Sequence, residues 1–173
     1  MNEELKIKII KWSKDRGIIP NASPLVQFAK LMSEFSEIFE ALRLLNKEKL
    51  IDAIGDVQVV LINLSELLKL EDNSLEINFN YSKEFNSINE VAEYICNIGD
   101  KIIKHDYKSA VDLIEKSYEC LTGYSRFEHI DPNYALECAY NEIKDRKGFL
   151  TPEGNFIKDS DPMYQEIIKK YKK

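Results

Sequence analysis

The chain has 173 residues, a formal net charge of −6 and 44% hydrophobic content, enough to bury a sizeable core in one domain spanning 1–173. The acidic balance argues against a nucleic-acid partner, whose affinity comes from neutralising phosphates with Lys and Arg; a phosphate ligand would need a bridging cation. No segment approaches the roughly 20 apolar residues of a membrane span, and the start MNEELKIKII has no basic region followed by an apolar run. Cys96, Cys120 and Cys138 are odd in number and widely spaced, which points to reduced thiols in a cytoplasm rather than a disulfide framework or zinc site.

Leu5, Ile9, Ile10 and Trp12 predict a first helix from Glu3 to about Arg16, closed by Gly17. After the connection IIPNASP, Ser23 and Pro24 read as N-cap and first helical residue of a second helix running to about Leu45. The short turn NKEK then lays a third helix, centred on Leu50 to Leu70, antiparallel to the second. At about 100° per residue, Asp52, Asp56, Val59, Asn63 and Glu66 share one stripe of that helix, while Leu, Ile, Val and Ala fill its other faces.

Residues Glu71 to Asn86 are polar without helical period and read as a surface connection. Ser87 and Glu90 have capping-box spacing for a fourth helix to about Lys104. Asp106 caps a fifth to about Thr122, and Asp131 with Pro132 starts a sixth that ends near Arg146. TPEGNF reads as a turn, GNFIK supplies at most a stub of strand, and MYQEIIKKYKK is a short tail helix. The expectation is an all-α helical bundle of six or seven helices, built on an antiparallel pair that carries acidic residues.

Glu34 and Glu37 are three apart on the second helix, and Asp52 and Asp56 four apart on the third, so each pair shares a face and four carboxylates can line one groove. An ionised carboxylate is expensive to bury unless it is paired or coordinates a metal. Hard oxygen ligands suit Mg²⁺ or Mn²⁺; the alternatives are ion pairs with Lys or Arg, or a solvated helix face. A di-iron bundle needs Glu-x-x-His, and neither His105 nor His129 has a Glu three residues earlier. Nor does either histidine sit in a motif with a hydroxyl or thiol nucleophile.

Gln27 and Lys30 ahead of Glu34 and Glu37, then Gly55 and Asp56 on the next helix, then Lys144, Arg146, Lys147 and Gly148, form a combined pattern. In this order the chain resembles the MazG-like nucleotide pyrophosphohydrolases, in particular the small phage-type members. The likeness runs through WSKDRGIIPNASPLVQFAKLMSEFSEIFEALRLLNKEKLIDAIGDVQVVLINL and AYNEIKDRKGFLTPEGNFIK. Two departures stand out. Ser33 precedes Glu34 where the family commonly has adjacent glutamates, and Ala53 stands where it commonly has a Glu, with Asp52 as the substitute.

The resemblance implies hydrolysis of a nucleoside triphosphate between its α and β phosphates, in a cytoplasmic enzyme that uses Mg²⁺, or Mn²⁺. Glu34, Glu37, Asp52 and Asp56 would hold the metal; Glu34, Glu37 and Asp56 are the catalytic candidates, one glutamate orienting or deprotonating the water. Lys144, Arg146 and Lys147 are candidates for the outer phosphates, with Asn141 beside Lys144; cations complementing the helix dipole are the alternative. Trp12 and Arg16 are candidates for the nucleoside end, with core packing as the other reading of Trp12. Helices apolar on several faces point to a homo-oligomer, dimer or tetramer. The reading from another class is a non-catalytic helical module that binds nucleotide or a protein partner.

Overall fold

The computed structural model describes residues 1–81 and 87–171. Eight helices are present among them: α1 (Glu3–Asp15), α2 (Ile18–Asn21), α3 (Pro24–Arg43), α4 (Lys47–Glu71), α5 (Ile88–Ile103), α6 (Tyr107–Phe127), α7 (Pro132–Ile143) and α8 (Tyr164–Tyr171). Two short strands, β1 (Gly148–Leu150) and β2 (Phe156–Lys158), pair antiparallel with Gly148 opposite Lys158 and Leu150 opposite Phe156. The protein is all-α apart from this hairpin.

Local chemistry starts the helices. Ser23 Oγ accepts from the Val26 amide ahead of Pro24 at N1, Asn46 caps α4 through the Lys49 amide, and Ser87 with Glu90 closes a full capping box on α5. Asp131 accepts from the Asn133 amide ahead of Pro132. Each bond satisfies a backbone donor that the first helical turn leaves free. Gly17 ends α1 at φ 73°, and it leads into α2, a single turn inside what the sequence presents as a plain connection.

The core is organised on α4, whose Ile54, Val57, Leu61, Ile62, Leu64 and Leu68 are fully enclosed. The turn after Arg43 folds α4 back along α3, and α7, α6, α1 and α2 cover its other sides. A helix apolar around most of its circumference needs that many neighbours.

Three expectations are corrected. Helix α6 runs on to Phe127, beyond Thr122, and α7 ends at Ile143, so Lys144 is its C-cap and Arg146 lies past it. The polar connection after Glu71 sends Ile77 and Phe79 into the core; residues 82–86 of that segment lie outside the described residues. Apart from these corrections, both histidines occupy exposed positions just after helices, in keeping with their lack of any motif, at φ 55° and 57°.

Candidate functional site

Gly55 controls how the acidic residues meet. A Cβ there would collide with the carbonyl oxygen of Ala135 and with the side chain of Ala139, so only a glycine lets α7 approach α4 this closely. Ala135, Ala139 and Glu142 follow one another on the same face of α7. That contact therefore aims Glu142 at the start of α4, where Asp52 stands.

The carboxylates converge from three helices. Glu34 of α3 is buried, with 5% of its surface exposed, and forms an ion pair with Lys30 one turn earlier. Glu37 lies one turn beyond, at the exposed side. Burial, then the neighbouring Glu34 carboxylate, raises the Glu37 pKa. Asp52 occupies the exposed rim, where partial desolvation followed by Glu142, within hydrogen-bonding reach, raises it too. Asp56 lies deeper, and burial with Glu34, Asp52 and Glu142 around it pushes its pKa up to about 7. Desolvation is the leading cause of all three shifts, and like charges that face one another in the groove add to it.

Hard carboxylate oxygens in this number suit a divalent cation. Among the described residues no three acidic, histidine or cysteine side chains form a finished metal cage as they stand. Lys30 occupies Glu34, and Glu142 is shared between Asp52 and an ion pair with Arg146. The donor chemistry fits a cation; these contacts would have to open to admit one.

Beside the cluster lies a cavity of about 540 Å³, with Lys30, Glu34, Asp56, Arg146 and Lys158 at one end. Trp12, Ile18, Val26, Val59, Val60, Asn155 and Phe156 wall it as well, with Gln27 and Asn63, which lie about two helical turns from Glu34 and Asp56 along the antiparallel α3 and α4. The β hairpin supplies Asn155, Phe156, Ile157 and Lys158 as one wall. Trp12 meets Phe156 edge-on at 6.3 Å. Arg16, over the Trp12 ring at 5.9 Å, donates to the Arg146 carbonyl at 2.8 Å and the Lys144 carbonyl at 3.3 Å, tying α1 to the segment after α7.

The structure thus brings Glu34, Glu37, Asp52 and Asp56 together and separates the four cation-side candidates. Arg146 lines the cavity. Lys147 lines only the shallower groove beside it, with Glu142, Asp145, Lys158 and Asp159. Lys144 donates to Asn141 Oδ1 at 2.9 Å on the exposed side of α7 and lines neither space. Trp12 belongs both to the core and to the cavity wall.

Sequence reasoning missed Glu142 and Lys158. Glu142 announces itself by no local motif, since its relevance comes from the α4–α7 contact. Lys158 depends on the hairpin register. Asn63 was legible, lying two turns beyond Asp56 on the same stripe.

No family model matches the chain, and no solved structure matches it. It is similar to an uncharacterized 18.2 kDa protein in the rep-hol intergenic region of Haemophilus phage HP1 (strain HP1c1), at 33% identity over 64 residues. The match covers 37% of this chain and 39% of that protein, so it spans well under half of the curated relative's length.

Proposed function

We propose that the chain is a divalent-cation-dependent nucleoside triphosphate pyrophosphohydrolase of the MazG-like kind, using Mg²⁺ or Mn²⁺. The observation that carries this reading is the cluster of Glu34, Glu37, Asp52 and Asp56, two of which, Glu34 and Asp56, line a cavity whose remaining wall is mostly apolar with a few amides. A nucleotide has the same polarity, polyanionic at one end and a flat heterocycle at the other. The site is concave, mostly apolar and furnished with a few polar groups, as small-molecule sites are.

Glu34, Glu37, Asp56 and Asp52 would hold the cation, which when bound reverses the local charge and lowers the pKa of water. Glu37, at the solvent side, is placed to accept a proton from water. Attack on the α phosphorus forms one P–O bond, breaks the α–β bridge, and leaves nucleoside monophosphate and pyrophosphate. Arg146, Lys30 and Lys158 line the same end and supply positive charge for the leaving phosphates, where positioning and charge neutralisation carry phosphoryl chemistry.

Chain assembly belongs to the same proposal. Leu25 and Phe39 on α3 are 47% and 43% exposed, and Leu45 just beyond is 93% exposed. Leu25, Met32 and Phe39 recur every seventh residue, a stripe that a second copy would cover. No described helix is long and apolar enough to cross a membrane, and the three cysteines are free; a cytoplasmic location accords with both.

A non-catalytic nucleotide-binding module is the second reading, favoured by the Lys30–Glu34 ion pair, which holds one prospective ligand closed. Pyrophosphate release from a panel of ribo- and deoxyribonucleoside triphosphates with Mg²⁺ separates the two. Hydrolysis that Glu37→Gln abolishes, with helical content intact, supports the enzyme; retained nucleotide binding with no release from any triphosphate supports the module.

A further inference from the structure

The apolar wall of the cavity carries polar groups whose hydrogen-bonding capacity the protein itself does not use up. Gln27, Asn63 and Trp12 are 7%, 3% and 8% exposed and line the cavity together. Among the described residues the Gln27 side-chain amide has no hydrogen-bond partner. Asn63 Oδ1 accepts from Ser13 Oγ at 2.6 Å, a length that suits O–H···O better than N–H···O and so fixes the amide. Its NH₂ group is thereby the free end. The Trp12 indole N–H also lacks a partner but is sealed from solvent, so the two amides are the groups that an incoming edge meets, and the Trp12 ring is wall.

The free ends of these amides meet the solvent of the cavity rather than protein partners. A ligand whose edge complements them therefore replaces water with specific hydrogen bonds, while a mismatched edge strands them as it excludes water. Counting what they offer identifies the complement. Asn63 presents a donor, and Gln27 a donor and an acceptor. The matching edge carries two acceptors and one donor. Cytosine has it in O2, N3 and the exocyclic amine, and uracil in O2, O4 and N3–H. The pairing edge of adenine has one acceptor and one donor, and that of guanine one acceptor facing two donors, which would set a donor against a donor. From the Gln27 and Asn63 amides on the cavity wall, we infer that this site selects pyrimidine nucleotides. The inference rests on the nucleotide reading of the same cavity, and it identifies Gln27 and Asn63 as the specificity-determining pair.

Trp12 is the only tryptophan in the chain, so its fluorescence reports on this wall alone. The test titrates the full chain, in chelator, with the monophosphates of cytidine, uridine, adenosine and guanosine. Both pyrimidine nucleotides should bind at least about tenfold more tightly than either purine nucleotide, because a mismatched edge leaves buried amides unpaired. Gln27→Met, which removes no hydrogen bond within the protein, should bring the ratio to within about threefold at unchanged helical content. Asn63→Leu should do the same, though it also strands the Ser13 hydroxyl. Equal or tighter purine binding by the wild type, a preference that survives Gln27→Met, or no response to any of the four at millimolar concentration would overturn the inference. A pyrimidine preference without any pyrophosphate release would keep it and sink the hydrolase; turnover of all triphosphates at equal kcat/KM would sink it alone.

Discussion

Glu142 on α7 stands within hydrogen-bonding reach of Asp52 on α4, and each is the other's close acidic neighbour at the rim of the groove. Ala53, where the resembled family commonly has a glutamate, is 2% exposed and turned into the core. Glu142 thus brings a further acidic group beside Asp52 from another helix. Glu142→Gln should weaken Mg²⁺ binding by about 10–100-fold, the range for a group that supports a metal ligand. The loss should be largely recovered at high Mg²⁺. The check is turnover against Mg²⁺ concentration, with Asp52→Asn and the double variant completing a cycle; strictly additive effects would show that the pair does not act together.

The raised carboxyls give stability a direction with pH. Asp56 holds its proton to about 7 in the folded chain against an ordinary 3.8, so the folded state binds more protons than the unfolded chain between these values. Stability in chelator is accordingly greatest at the acid side of that window and falls as pH rises through 7. The Asp56 contribution amounts to up to about 4 kcal/mol. Asp56→Asn should flatten the dependence, which urea unfolding at pH 5 and pH 8 measures. An equal fall with pH in both proteins would exclude Asp56 as its source.

Arg146 and Lys147 are adjacent in the chain but not in role. Arg146 faces the cavity, whereas Lys147 borders only the outer groove. Arg146→Ala should raise KM or lower kcat/KM by the equivalent of about 1.5–3 kcal/mol, as for a charge-assisted contact. Lys147→Ala should cost about 0.3–1 kcal/mol, the scale of an exposed dipole interaction. Steady-state kinetics on both variants decides this, and equal losses would contradict the division.

How much of this was legible in the sequence follows the range of each interaction. Ser23, Ser87 and Asp131 start their helices through bonds that span two or three residues, and such spacings are visible in a string. The stripe of Asp52, Asp56, Val59 and Asn63 is equally local. Its partition was not: Asp52 is exposed while Asp56 is partly buried on the cavity wall, where α7 closes over the helix at Gly55. Glu142, the hairpin wall carrying Phe156 and Lys158, and the burial of Ile77 and Phe79 all arise from contacts between distant segments. Glu142 and the hairpin wall carry no period that marks them, whereas Leu75, Ile77, Phe79 and Tyr81 alternate with polar residues and so carry a period of two.

The claim on which the functional account rests is that the acidic groove is a cation site, and the melting temperature tests it most directly. Two carboxylates about 4 Å apart repel by up to roughly 4 kcal/mol at an effective dielectric near 20, and among the described residues the one cation paired with Glu34, Glu37, Asp52 or Asp56 is Lys30, on Glu34. In chelator at pH 8, Asp56→Asn should therefore melt at or above the wild-type temperature. Saturating Mg²⁺ should raise the wild type, since a ligand of the folded state stabilises it, and should leave Asp56→Asn nearly unmoved. A wild type that gains nothing from Mg²⁺, beside an Asp56→Asn protein strongly destabilised in chelator, would make Asp56 the buried partner of a basic side chain and contradict the account.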